Sequence, residues 1–116
     1  MTIQYKNQGY KQSGTGRTTV LTCPSNATII IKSIYVANND GSSAILVNMN
    51  LVDSSDSGAE YEFFRSDVAA KSQVNAAPQG LNLEAGDSVT VQAATSGNKI
   101  QGAISFALID RSQENG

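Results

Sequence analysis

Residues 28–38 read TIIIKSIYVAN, and the fold turns on them. Alternation at period two places Ile29, Ile31, Tyr35 and Ala37 on one face and Ile30, Ile34 and Val36 on the other. A β-branched run that is apolar on both faces is expected at the centre of a sheet, not at its edge. On its N-terminal side RTTVLTC (17–23) stops at Pro24, and PSNAT supplies a turn, because proline donates nothing to a ladder and Ser and Asn bond their own backbone. On its C-terminal side NNDGSS carries the turn dipeptide Asp40-Gly41. AILVNMNLVD (44–53) then sends Ile45, Val47, Met49 and Leu51 one way and Asn48 and Asn50 the other, the signature of a half-buried antiparallel strand.

The same texture continues to residue 110. AEYEFF (59–64) sets Tyr61 and Phe63 against Glu60 and Glu62. Residues 66–80 are alanine-rich and polar and read as an irregular edge strand broken before Pro78; Asp67 as the cap of a short helix is the alternative. LNLEAGDSVTVQAA (81–94) reads as a hairpin, with Leu81 and Leu83 before a bend at Gly86 and Val89, Val91 and Ala93 after it. KIQGAISFALID (99–110) puts Ile100, Ile104, Phe106 and Leu108 on one side. Seven to eight short strands between turns predict an all-β fold, an antiparallel β-sandwich of jelly-roll type over residues 17–110. Residues 1–16, polar and rich in Gln, Asn, Gly and Ser, read as an N-terminal arm, and 111–116 as a polar C-terminal tail.

Length and charge narrow the function. A chain of 116 residues is expected to form one domain. Eight basic against ten acidic residues, a net charge of −2, give no positive field to hold phosphate, so nucleic acid is not expected as a partner. No apolar run is long enough to span a membrane and the start lacks the core of a signal peptide, so neither a membrane nor an export route is expected. Cys23 is the only cysteine, which excludes a disulfide within the chain, and it reads as a small buried hydrophobe. Asn26-Ala27-Thr28 matches the glycosylation pattern but reads as loop chemistry. Histidine is missing altogether, which removes the commonest general base and metal ligand. No cofactor, no metal and no enzyme activity are expected.

The remaining reactive candidates are carboxylates. Glu84 and Asp87 share one bend with no His, Cys or Lys beside them and read as turn chemistry. Glu60 and Glu62 have the spacing of two acids on one strand face, a solubility device more often than a glycosidase pair. Asp53 and Asp56 sit in a serine-rich loop that lacks the glycine and closing glutamate of a calcium loop. Gly14-Thr15-Gly16 has no strand before it or helix after it and reads as a flexible joint, not a phosphate loop. In the arm, Tyr5-Lys6 and Tyr10-Lys11 form a weak echo of aromatic-plus-lysine pairs.

The succession TTVLTCPSNATIIIKSIYVANNDGSSAILVNMNLVDSS (18–55), followed by AEYEFF and LNLEAGDSVTVQAA, resembles a family of small virion structural proteins of tailed bacteriophages, best represented among phages of marine and cyanobacterial hosts. Thr18 to Pro24 stand where that family has a Thr-rich strand and Cys-Pro turn, Lys32 to Asn38 where it has its KSI-V-N strand, and Leu83 to Ala94 where it has an L-E-x-GD hairpin and trailing QA. The likeness runs over residues 18–109; the 66–80 stretch and the polar arm depart from the pattern. It implies a virion component, made in the host cytoplasm, with capsid decoration or cement ahead of a neck, tail or fibre-attachment role. The implied partners are other virion proteins, the major capsid protein or neck and tail components, and further copies of the chain in a symmetric homo-oligomer, expected as a trimer. Tyr5, Lys6, Tyr10, Lys11, Tyr61, Phe63 and Phe64 are the expected interface residues. The rival is a carbohydrate-binding module, which would stack sugar on an exposed Tyr61 or Tyr35, though the chain has no Trp.

Overall fold

Nine strands and one 3-10 turn run through residues 2–111, the residues that the computed structural model describes. They are β1 (Thr2–Gln12), β2 (Thr18–Thr22), β3 (Ala27–Asn38), β4 (Ile45–Asp53), β5 (Ala59–Val68), β6 (Ser72–Asn75), β7 (Asn82–Leu83), β8 (Ser88–Ala93) and β9 (Ile100–Asp110), with the turn at Ser54–Asp56 between β4 and β5. The tail expected over 111–116 lies, beyond Arg111, outside the described residues.

The pairings are nested. β4 pairs with β5, β3 with β6 and β7, β2 with β8, and β1 with β9, all antiparallel. The chain is therefore one long hairpin whose tip is the 54–58 turn, rolled so that successive rungs fall alternately into two sheets. Two further pairings, β3 with β9 and β4 with β8, complete the sheets as β1-β9-β3-β6, with β7 also on β3, and β2-β8-β4-β5. With β6 and β7 taken as one interrupted strand this is an eight-stranded jelly roll, as the sequence predicts in class. The inner faces meet over a core of Ile29, Ile34, Val36, Ile45, Val47, Met49, Leu83, Val89, Val91, Ile100 and Ile104, none more than 2% exposed.

Three expectations change. Residues 2–12, read as an arm, are the outermost rung: β1 pairs with β9 without a break from Thr2↔Asp110 to Gln12↔Ile100. Only Tyr10 and Gln12 in it are buried, and a strand with so little inward surface carries no apolar alternation on its inward face to betray it. Residues 81–94 are not a hairpin, because β7 belongs to the first sheet and β8 to the second, so the Glu84–Asp87 turn crosses between the layers. The irregular 66–80 edge resolves into the end of β5, which buries Val68, and the short β6.

A further change concerns β3. It is central, flanked by β9 and by β6 and β7, but its two apolar faces are not both buried. The register with β9 moves from Ile31↔Phe106 to Ser33↔Ser105, so Lys32 is an extra residue, a β-bulge. The bulge reverses the phase: Ala27, Ile29 and Ile31 face the core before it, and Ile34, Val36 and Asn38 after it. Ile30 and Tyr35 point outward, 41% and 47% exposed.

The ends of the sandwich are tied by two buried polar side chains. Asp87 accepts hydrogen bonds at Oδ1 from the Ser54 amide (3.0 Å) and hydroxyl (3.1 Å), and at Oδ2 from the Glu84 amide (2.9 Å). Its carbonyl accepts from the Cys23 amide, so one residue joins the end of β2, the β4–β5 turn and the crossing turn. Gly86 makes this possible at φ +83°, since a Cβ there would lie 2.9 Å from the Ser54 hydroxyl. At the other end Asn38 Nδ2 donates to the Ser43 and Val68 carbonyls, and its Oδ1 accepts from the Asp40 amide.

Two predictions test these assignments by urea unfolding. Ile34→Ala should cost about 2–5 kcal/mol and Tyr35→Ala less than about 1 kcal/mol, a contrast between adjacent residues that an unbulged strand would reverse. Asp87→Ala should lower the midpoint by the equivalent of about 2–4 kcal/mol with an unchanged slope, from lost charged hydrogen bonds and stranded amides.

Candidate interaction surface

The two outward faces of the sandwich differ in chemistry. On the second sheet the outward side chains are mostly polar, with Leu46 (37% exposed) and Tyr61 (50%) as the apolar exceptions. Arg17 Nη1 lies 2.8 Å from Glu60 Oε1, and Arg65 Nη2 2.8 Å from Glu62 Oε1. Between the two arginines, Asn48 and Gln92 help to line a shallow depression of about 460 Å³. The carboxylate pair suggested by the 60 and 62 spacing is thus two separate ion pairs. Both are half-exposed and solvent-screened, so neither contributes much to stability.

On the first sheet the outward side chains are apolar or small around Tyr5 and Ile30, with Asn7, Lys11, Lys32 and Gln101 as the polar ones. Register brings Tyr5, Ala107 and Ile30 into one row across β1, β9 and β3, with Ile3, Ile109 and Thr28 on one side of it and Gly9, Ala103 and Tyr35 two rows away on the other. Of the six large hydrophobic residues exposed among the described residues, four stand here: Ile3 at 51%, Tyr5 at 76%, Ile30 and Tyr35. Lys32 Nζ, lifted by the bulge, lies 5.0 Å from the centroid of the Tyr5 ring.

Of the expected interface residues, Tyr5 and Lys11 lie on this outer face by alternation from the β9 register. Lys6 turns the other way and borders a depression with Leu21, Pro24 and Phe106 at the open side of the sandwich. Tyr10 is a correction, because it is only 8% exposed: its ring lies against Gly102 and its hydroxyl donates to the Tyr35 carbonyl at 2.8 Å. Gly102 is what admits it, since a Cβ at that position would overlap the Tyr35 carbonyl. Phe63 and Phe64 are half-buried against the core, and Tyr61 is half-exposed with its hydroxyl donating to Asp56 Oδ2 at 2.6 Å. These three stand on β5, at the far edge from β1: β1 stacks over β2, whereas β5 lies against β6. The two groups of expected residues do not form one surface. Ile3 and Ile30 were not singled out by the sequence, although the alternation Ile3-Tyr5 would have located the face once residues 2–12 were read as a strand.

The other candidates are engaged in structure. Asp53 accepts from the Ser55 amide and hydroxyl, so it caps the turn, and Asp56 takes the Tyr61 hydroxyl. Among the described residues no three of His, Cys, Asp and Glu come together as a metal site. Burial, and then the charge of Asp87, push the Cys23 thiol above its usual range. Asp56 raises the pKa of the Tyr61 phenol, first through the hydrogen bond and then through its charge. Burial raises that of Tyr10 well above the ordinary phenol value.

No family model and no curated protein matches the chain. Solved structures do. One is a protein of the Bacillus endospore appendages, a family of disulfide-linked pili, aligned over 95% of this chain and 88% of its own with 13% identity and a TM-score of 0.54. Another is a chain of the T13 infectious bursal disease virus particle, aligned over 94% of this chain with 6% identity and a TM-score of 0.55; this chain spans about a third (31%) of it. At these identities the likeness establishes a shared all-β fold.

Tyr10 has a pH signature. Its folded pKa is raised, so its contribution to stability is complete below the ordinary phenol pKa near 10 and is lost as pH rises from there towards the folded value. Urea unfolding at about pH 8 and about pH 11 should show wild type losing on the order of 1 kcal/mol more between the two than Tyr10→Phe does. Equal losses would place Tyr10 in solvent.

Proposed function

We propose that this chain is an accessory structural protein of a virus particle, in the most specific form a capsid decoration or cement subunit of a tailed phage. It works by contact and not by chemistry. The observation that carries the reading is the bias between the outer faces, one mostly polar with paired charges and the other with four of the six exposed large apolar side chains, set around small residues on β9. A sheet face of that kind on a small sandwich is a contact surface, because apolar side chains left in water gain from being covered by a partner. The sequence resemblance supports a tailed-phage setting. The fold shared with a pilus protein and a viral-particle chain supports a role in assembly, since both of those belong to ordered arrays. On this reading the first sheet rests on the particle, and the second, with its ion pairs, faces solvent.

The test is quantitative mass spectrometry of gradient-purified particles. Peptides of this chain should appear in fixed ratio to the major structural protein, and a chain carrying Ile30→Glu and Tyr35→Glu should be incorporated at least tenfold less. A chain absent from purified particles sinks the proposal; a double variant incorporated as well as wild type moves the contact to another face.

A further inference from the structure

We infer that β1 is a self-pairing edge, and that its occupant is β1 of a second copy, joined antiparallel about a two-fold axis at Asn7. The inference takes its biological setting from the assembly reading above, but its test needs only the purified chain.

The sandwich has four sheet edges, and three are protected. β2 and β6 are short, five and four residues. β5 is long, but its register breaks between Met49 and Asn50, where Phe63 is an extra residue, and it carries Glu60, Glu62, Arg65 and Asp67. Shortness, bulges and charge are the usual devices that stop a sheet from adding strands. β1 has none of the first two: eleven residues, no proline, and no shift anywhere in its pairing with β9. Its only charges are Lys6 and Lys11. Pairing on one side alone leaves about half of its backbone N–H and C=O groups facing outward.

Length and side-chain pairing select the partner. A two-fold at Asn7 pairs the exposed length of the strand with itself, Ile3 opposite Lys11, and stops short of Gln12, which is fully buried. Tyr5 then falls opposite Gly9, where an aromatic ring covers the notch that a glycine leaves on a sheet. Lys6 faces Gln8, so no lysine meets a lysine. Side chains opposite one another must share a face, so the register changes only in steps of two residues per pair. One step in one direction sets Lys6 against its own copy. One step in the other leaves Thr2 and Ile3 of each copy unpaired. The Asn7 register also carries the outer face, with Tyr5 from both copies, across the junction as one surface. The unit that results is a dimer, in place of the trimer expected from the sequence.

A single cysteine tests both the pairing and its register. Asn7→Cys should form a covalent dimer on mild oxidation with glutathione disulfide, because the axis places the two sulfurs opposite each other, within the roughly 7 Å between Cα atoms that a disulfide tolerates. Lys11→Cys should not, since the two copies of residue 11 lie eight residues apart along the paired strands, about 27 Å. Cys23 is 1% exposed and stays out of the reaction. Wild-type chain in multi-angle light scattering should have twice the chain mass at tens of micromolar. A monomer throughout that range, or equal crosslinking of the two variants, overturns the inference. Its failure leaves particle membership standing, and a chain absent from particles leaves the dimer standing.

Discussion

The architecture depends on one residue that does not fit. Lys32 is the extra residue in β3, and by standing out of register it returns the strand's second half to the core. Without it, Ile34 and Val36 would face water and Tyr35 would be forced between the sheets. Burying an Ile and a Val is worth roughly 1.5–3 kcal/mol each, against about 1 kcal/mol for a ladder bond lost at the bulge, so the bulge wins. The consequence reaches both sides of the sheet. Inside, Ile34 and Val36 pack with Ile104 and Ile100 in the core; outside, Ile30 and Tyr35 come to the same exposed face as Tyr5. Core and exposed apolar face are two results of one register shift.

The bulge also explains what was legible in the sequence. Where the period of two is unbroken, as in β4 up to Met49 and along β9, the sequence names Ile45, Val47, Met49, Ile100, Ile104 and Phe106 as buried, though Leu108 is only half-buried and Ala107 on the opposite face is buried as well. In β3 the same rule fails, because a bulge changes the phase without leaving any mark in composition; TIIIKSIYVAN looks apolar on both faces when it is apolar on one face twice. β1 fails for the opposite reason. An edge strand exposed on its outer face and along its free side has nothing to alternate, so it resembles a solvated arm. The 81–94 bend fails because the turn chemistry of Gly86-Asp87 serves a crossing between sheets as well as a hairpin. The contact surface was legible in part: Tyr5 could be seen, whereas Ile3 and Ile30 waited on a strand and a bulge, and Tyr10 waited on Gly102, which turns an interface candidate into a core residue.

The treatment of the two long edges is asymmetric, and that asymmetry bears on assembly. β5 spends four charged residues and a bulge on a ten-residue edge. β1, of similar length, carries two lysines and no break, and borders the apolar outer face on the same sheet. Aggregation acts on every exposed edge, so a protein that protects one and leaves the other open is expected to cover the second in use. Because β1 pairs only with β9, the outermost rung of the roll, adding a strand there disturbs no other pairing.

Edge and face together also set how tightly a partner must be held. Backbone pairing along β1 is directional and fixes orientation, but it is worth little net free energy, since each group exchanges a bond to water for a bond to protein. The apolar face is the reverse: it supplies free energy through burial and little direction. Neither alone specifies a stable contact. On the proposed reading, a second copy at the edge would double the apolar surface presented on one side and hold its two halves in fixed relation, so that a particle surface would meet both at once. The second contact then forms at the effective concentration set by the first, and weak sites add up to a lasting attachment without any new chemistry. This places the burden of specificity on β1 and the burden of affinity on the face that Lys32 exposes.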